Sequence, residues 1–110
     1  MGRATAHLFA DEGARLAILD INSEGLDAVA QDIRAIGGEV LALTVDLSSR
    51  DAVEQAVLAV AAHIGAIDIL VNNAGLSGTY TSDLMSVEAW DRLLEVNAKG
   101  VFLGLKYAIP

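Results

Sequence analysis

The sequence predicts an α/β fold built on a doubly wound parallel sheet. Three observations carry this. Short apolar runs recur at roughly 25-residue intervals, and amphipathic helical stretches lie between them. The composition is 54% hydrophobic but only 5% aromatic, which suits a sheet of small aliphatic residues covered by helices. The runs are Ala14–Leu19, Glu39–Val45 and Ile67–Val71. Each is apolar on both parities and closed by a polar residue, the pattern of a strand covered on both faces. Strands that alternate with helices in this rhythm form right-handed crossovers.

The elements follow in order. Gly2 and the stretch RATAHLFADEGA read as a helix entered from a glycine turn. In a dinucleotide-binding fold such a helix follows the first strand, which lies in the middle of the sheet. No such strand precedes it here, so the fold is expected to be incomplete, with its first strand and C-terminal half missing. The remaining strands should flank a central gap where main-chain groups lack partners. After the run at Ala14–Leu19, Leu26, Val29, Ala30, Ile33 and Ile36 keep helical spacing, and Gly37-Gly38 closes that helix. The next helix starts at SSRD, where Ser48 and Asp51 form a capping-box pattern. It carries Val53, Ala56, Val57, Val60 and Ile64 on one side and ends at Gly65. A last helix runs from Val87 to about Ala108. No repeat or linker interrupts residues 1–110, which read as one partial dinucleotide-binding domain.

Composition narrows the function. The formal net charge of −8, with no Lys/Arg cluster, speaks against a nucleic-acid partner, which needs a basic face. The absence of cysteine removes disulfides and thiolate metal sites. His7 and His63 stand alone on helices, so no metal site is expected and both are read as structural or surface residues. The first residues hold Arg3, His7, Asp11 and Glu12 with no apolar h-region and cleavage site, so no signal peptide is expected, and no apolar run nears the ~20 residues that span a bilayer. A soluble, cytoplasmic protein without a membrane partner is expected.

Three places point to chemistry. Asp20 ends the first run, about 20 residues beyond the glycine turn, where a dinucleotide-binding unit uses a carboxylate to accept from the adenosine ribose hydroxyls. A 2′-phosphate would meet like charge there. Ile21 and Asn22 follow, with no Arg or Lys to hold that phosphate, so NAD is favoured over NADP. A plain turn aspartate explains Asp20 equally well when it is taken alone. Asp46 repeats the position after the second run, followed by Leu47. The carboxylate there can accept from an adenine amino group while the apolar neighbour packs on the ring. The third place is ILVNNAG, Ile69–Gly75, where a buried strand runs into two amides and two small residues. Tandem amides at a strand end can tie neighbouring strands, and Ala74 and Gly75 let a flat ligand approach the backbone.

Together with VNAKGVFLGLKYAIP (Val96–Pro110), ILVNNAG resembles the short-chain dehydrogenase/reductase family, and the resemblance covers essentially the whole chain. It implies a Rossmann-like fold and an oxidoreductase that moves hydride between nicotinamide and a small-molecule secondary alcohol or ketone. The substitution pattern of the last stretch is similar to members acting on cyclic or steroid-like alcohols. Met1 and Gly2 match the last two positions of the family's T-G-x-x-x-G-x-G loop. Asp20 and Ile21 would flank the ribose, and Asp46 and Leu47 the adenine. Asn73, Ala74 and Gly75 would line the cofactor cleft, with Leu76 and Val96 nearby. Asn97 matches the family's active-site Asn, which interrupts regular helical bonding and helps place a water in a proton relay. A mid-helix Asn outside that context reads as a solvated or kink residue.

The departures from the family pattern are specific. The Thr and first two glycines of the loop are absent, and with them most of the pyrophosphate cradle. The catalytic Ser and the Y-x-x-x-K pair are absent as well. Tyr80 has Leu84 four residues on, and Tyr107 is followed only by Ala108, Ile109 and Pro110. The family's chemistry needs that Tyr as general acid/base, its pKa lowered by the Lys. The 110 residues are therefore expected to be inactive alone, and to be a piece of a larger, homo-oligomeric enzyme. Two other readings stand beside this one. One is a truncated, non-catalytic paralogue that associates with a complete subunit through the apolar VFLGL run. The other is a methyltransferase on a similar sheet. Trp90 is expected to pack, and LSGTYTSD (Leu76–Asp83) to border the substrate cleft.

Overall fold

The computed structural model describes residues 1–77 and 86–110. Its elements are α1 (Gly2–Asp11), β1 (Leu16–Asp20), α2 (Ser23–Ala35), β2 (Val40–Thr44), α3 (Arg50–Ile64), α4 (Val87–Leu94), a π-helical turn over Glu95–Lys99, and α5 (Gly100–Ala108). β1 and β2 pair in parallel, with Leu16 opposite Val40 and Asp20 opposite Thr44. α2 crosses between them, so residues 16–44 form one βαβ unit.

The two faces of this sheet are separate cores. On one face Ala6 and Ala10 of α1 and Ala30 and Ile33 of α2 close over Val40, Leu16, Ile18 and Ala42. On the other, Val53 and Ala56 of α3 and Leu103 of α5 close over Val45, Leu19 and Leu43. Alternate strand residues thus feed opposite cores, which is why both parities of the runs are apolar. Helices on both faces of a parallel sheet make this an α/β, Rossmann-like fold, present only in part: the sheet among the described residues has two strands. No described helix is long and apolar enough to cross a membrane.

The helix ends follow local chemistry. Asn22 caps α2 by accepting from the Gly25 N–H at 3.2 Å. Gly37 beyond α2 and Gly65 beyond α3 take φ of +83° and +86°, the left-handed region that glycine enters without strain. On α2, Leu26, Ala30 and Ile33 are buried and Val29 is half-buried, but Ile36 is exposed because it already belongs to the turn. On α3 the expected stripe is in place: Val53, Ala56, Val60 and Ile64 are buried and Val57 is half-buried.

Three expectations need correction. Ile67–Val71 is not a strand, and Ile69 and Val71 are 63% and 51% exposed. A strand needs a ladder partner, and none of the described residues lies alongside to supply one. The cap of α3 is Ser49, which accepts from the Ala52 N–H at 3.3 Å. The Ser48 hydroxyl is turned away from the helix instead: it donates to Asp46 and accepts from Arg92. Trp90 does not pack: it is 63% exposed on α4, whose buried residue is Ala89. The last helix does run from Val87 to Ala108, in three sections rather than as one regular α-helix. Most of the stretch expected to border a substrate, and Tyr80 with it, lies outside the described residues.

Candidate functional site

Asp20 sits at the C-terminal end of β1 and is exposed. One carboxylate oxygen accepts the Asn22 N–H at 2.9 Å, an Asx turn that bends the chain into α2. Its other oxygen has no partner among the described residues. Asp20 thus builds the turn and leaves its other oxygen open at the end of the strand.

Asp46 occupies the same place after β2. Its Oδ1 accepts from the Ser48 hydroxyl at 2.6 Å and from the Ser48 N–H at 2.9 Å. These bonds, the hydroxyl's first, hold the carboxyl below its ordinary value against an opposing push from burial. The charges of Arg92 and Lys99 add to the lowering. Arg92 also donates to the Ser48 hydroxyl at 3.2 Å, which ties α4 to the turn that carries Asp46 and Leu47. Leu47 lies against Gly100, where an added Cβ would stand 3.4 Å from the Leu47 Cβ and carbonyl oxygen.

The NNAG stretch is exposed main chain held by glycines and amides. A Cβ on Gly2 would come within 2.8 Å of the Asn73 Nδ2, and a Cβ on Gly104 within 2.8 Å of the Asn72 Oδ1. The two amides thus settle on α1 and α5, and among the described residues no strand stands beside residues 67–71. Asn97 lies within the π-helical turn, where the Gly100 N–H reaches back five residues to the Glu95 carbonyl. Its Oδ1 accepts the Leu76 N–H and its Nδ2 donates to the Leu76 carbonyl, both at 2.7 Å. One side chain therefore holds both ends of a single residue's main chain. Gly75 comes close beneath it: a Cβ there would stand 3.3 Å from the Asn97 Oδ1.

Of the residues expected from sequence, Gly2, Asp20, Leu47, Asn73, Ala74 and Val96 line one cleft. Met1, Ile21, Asp46, Gly75, Leu76 and Asn97 do not line it, and Met1 is almost fully exposed. Sequence reasoning missed Arg92, and it missed Gly104 as the seat of Asn72. Gly100 and Gly104 lie four residues apart on one helix face, a signal that was readable. Nothing in the sequence singles out Arg92. Among the described residues no group of three or more His, Cys, Asp or Glu is placed to hold a metal.

A parallel βαβ unit with carboxylates after both strands and a Gly/amide segment beside them defines a dinucleotide-fold protein. The chain belongs to the short-chain dehydrogenase family: the family model described as short chain dehydrogenase matches residues 1–110. It is 36% identical over 110 residues to the 3-oxoacyl-(acyl-carrier-protein) reductase FabG of Thermotoga maritima, covering 100% of this chain and 45% of that one. It is 38% identical over 109 residues to the levodione reductase of Leifsonia aquatica, covering 96% and 41%. A metagenomic short-chain oxidoreductase solved in complex with NADP superposes with a TM-score of 0.88 at 37% identity, covering 96% of this chain and 48% of that one. The chain spans less than half the length of the relatives it matches.

Proposed function

We propose that this chain is the cofactor-binding part of an NAD-dependent dehydrogenase that moves hydride between a secondary alcohol and its ketone. The observation that carries the reading is the convergence of Asp20, Leu47, Asn73 and Ala74 on one cleft. The donor and acceptor set fits the adenosine half of a dinucleotide. Asp20 would accept from the ribose hydroxyls through its open oxygen. Asp46, kept ionised by Ser48, would accept from the adenine amino group while Leu47 covers the ring. Ala74 and Gly75 would let the cofactor lie against bare main chain, and Asn97 would hold that main chain still through Leu76. A bound nicotinamide cofactor supplies the hydride chemistry; the protein orients it and manages the proton.

NAD is proposed over NADP because Asp20 is followed by Ile21 and Asn22, and an anionic oxygen at that point repels a 2′-phosphate. A metagenomic relative was solved in complex with NADP, so the choice between the two cofactors rests on the residues after Asp20. The substrate class is proposed from relatives named as a levodione reductase, a D-threitol dehydrogenase and a 2,5-dichloro-2,5-cyclohexadiene-1,4-diol dehydrogenase. A cyclic substrate is the favoured kind. The proton step needs a Tyr with Lys four residues on, and the 110 residues contain no such pair. The chain alone is therefore proposed to be inactive, within a cytoplasmic, homo-oligomeric whole enzyme. Calorimetry with NAD, NADP and S-adenosylmethionine tests the cofactor reading. Heat only with S-adenosylmethionine would overturn the cofactor reading. Measurable NAD-dependent alcohol oxidation by the purified chain would overturn its proposed inactivity.

A second reading has one observation in its favour. Phe102 and Leu105 of the VFLGL run are exposed on α5, as an association surface for a complete subunit requires. Co-purification with a full-length short-chain dehydrogenase supports this, and its failure counts against it.

A further inference from the structure

A half-buried arginine ends on a serine hydroxyl rather than on a carboxylate. Arg92 of α4 donates to the Ser48 hydroxyl at 3.2 Å, and that hydroxyl donates to the Asp46 Oδ1 at 2.6 Å. The three side chains form one line of donors that terminates on a carboxylate. Bonds in such a line polarise one another, so the hydroxyl donates more strongly than it would alone. Main chain closes the same turn. The Ser48 N–H also donates to Oδ1 at 2.9 Å, and the Ser49 N–H donates to the Asp46 carbonyl at 3.0 Å. Both bonds to the carboxylate thus fall on Oδ1, and Oδ2 has no hydrogen-bond partner among the described residues. An arginine in direct contact with a carboxylate pairs with both of its oxygens. One hydroxyl placed between the two keeps the carboxylate oriented and leaves an oxygen open.

We infer that Arg92 is a positioning residue for the nucleobase: through the Ser48 hydroxyl it fixes the Asp46 carboxylate as an acceptor, which selects a 6-amino purine over a 6-oxo purine. The inference rests on the cofactor reading, which sets a purine against Asp46 and Leu47. Leu47 meets the face of the ring and cannot tell the two bases apart, so the choice falls to Asp46. A 6-amino group donates to the open oxygen. A 6-oxo group meets it acceptor against acceptor. Rejection of the second base needs a carboxylate that stays in place. A loose one swings aside, whereas this one is held by a hydroxyl that is itself tied to α4, 44 residues further along the chain.

The test titrates the isotope-labelled 110-residue chain with NAD and with nicotinamide hypoxanthine dinucleotide, which differs in the base alone. Amide shifts at Leu47 and Ala74 give the two dissociation constants. NAD should bind roughly tenfold more tightly, the worth of one hydrogen bond to a charged group at a half-exposed site. Arg92→Leu should bring that ratio down to about threefold or less, because the carboxylate is then free to yield. Ser48→Ala removes the relay itself and should do the same. Arg92→Lys keeps a donor for the hydroxyl and should keep most of the ratio. A merely structural role for Arg92 would weaken both dinucleotides alike. An unchanged ratio in Arg92→Leu therefore overturns the inference, and so does a lysine variant no better than the leucine one. If Arg92→Leu unfolds, Ser48→Ala decides. Asp46→Asn separates the inference from the reading beneath it. Its amide offers a donor as well as an acceptor, so the two dinucleotides should bind about equally. If Asp46→Asn equalises them while Arg92→Leu and Ser48→Ala do not, the role of Arg92 alone falls. If NAD does not bind, or Asp46→Asn leaves the ratio unchanged, the cofactor reading fails and the inference with it.

Discussion

Replacing Asn97 with alanine removes both partners that the structure gives to Leu76. The Asn97 amide accepts the Leu76 N–H and donates to the Leu76 carbonyl, each at 2.7 Å. A neutral hydrogen bond contributes about 0.5–1.5 kcal/mol net, so the pair is worth about 1–3 kcal/mol. Asn97 is exposed and water can take over part of its role, which places the loss near the lower end, at about 1–1.5 kcal/mol. Local opening around Leu76 should then be roughly five- to tenfold more frequent. Alanine is also the better helix former, so the helical amides of 95–108 should exchange no faster. The assay is residue-resolved amide exchange, with the Val53 amide of α3 as internal reference. Asn97→Asp keeps an acceptor for the N–H but sets a carboxylate against the Leu76 carbonyl, so it should restore only part of the protection. Unchanged exchange at Leu76 in Asn97→Ala would refute the reasoning. Faster exchange at Leu76 and Val53 alike would also refute it, since the effect would then be global.

Other outcomes follow from packing and charge. Ile33 is fully buried between α1, α2 and β2, so Ile33→Ala should cost about 2–5 kcal/mol and Ile33→Val about 0.5–1.5 kcal/mol, read by chemical denaturation. A Cβ on Gly38 would stand 2.6 Å from the Ile33 Cγ2 and 3.0 Å from its carbonyl oxygen, so Gly38→Ala should cost about 1–3 kcal/mol by overpacking. Gly37 has φ +83° and open space around it, so Gly37→Ala should cost about 1–2 kcal/mol through backbone strain, and Gly37→Asn less. The lowered pKa of Asp46 adds stability above its ordinary value of 3.8 that is lost as pH falls through the folded value. Ser48→Ala removes the largest cause of that lowering, so the Asp46 carboxyl should titrate at higher pH by NMR. The contribution should then fade at correspondingly higher pH.

The family, the βαβ rhythm and the two-faced core were legible because they rest on local pattern. Apolar residues on both parities of Leu16–Asp20 and Val40–Thr44 read directly as a strand covered on both faces, and each parity feeds its own helices. Ile67–Val71 carries the same pattern and is not a strand, because pairing depends on a neighbour that no five-residue window contains. The shift of the α3 cap from Ser48 to Ser49 has a similar cause. The Ser48 hydroxyl is held between Asp46, to which it donates, and Arg92, from which it accepts, and Ser49 accepts from the helix instead. Trp90 is expected to pack at the start of the last helix, but α4 turns it outward. Asp20, Leu47, Asn73 and Ala74, expected from spacing and from the family resemblance, line one cleft. The grip of Asn97 on Leu76 spans 21 residues and that of Arg92 on Ser48 spans 44, and contacts that distant leave no periodic trace.

The central claim is that the cleft holds the adenosine half of NAD. The most direct test is a titration of the isotope-labelled chain with NAD and, separately, NADP, followed by amide chemical shifts. The account predicts saturable shifts at Ile21, Leu47, Ala74 and Gly75 with NAD, and weaker ones with NADP. Shifts confined to other residues, or an equal response to NADP, would contradict it.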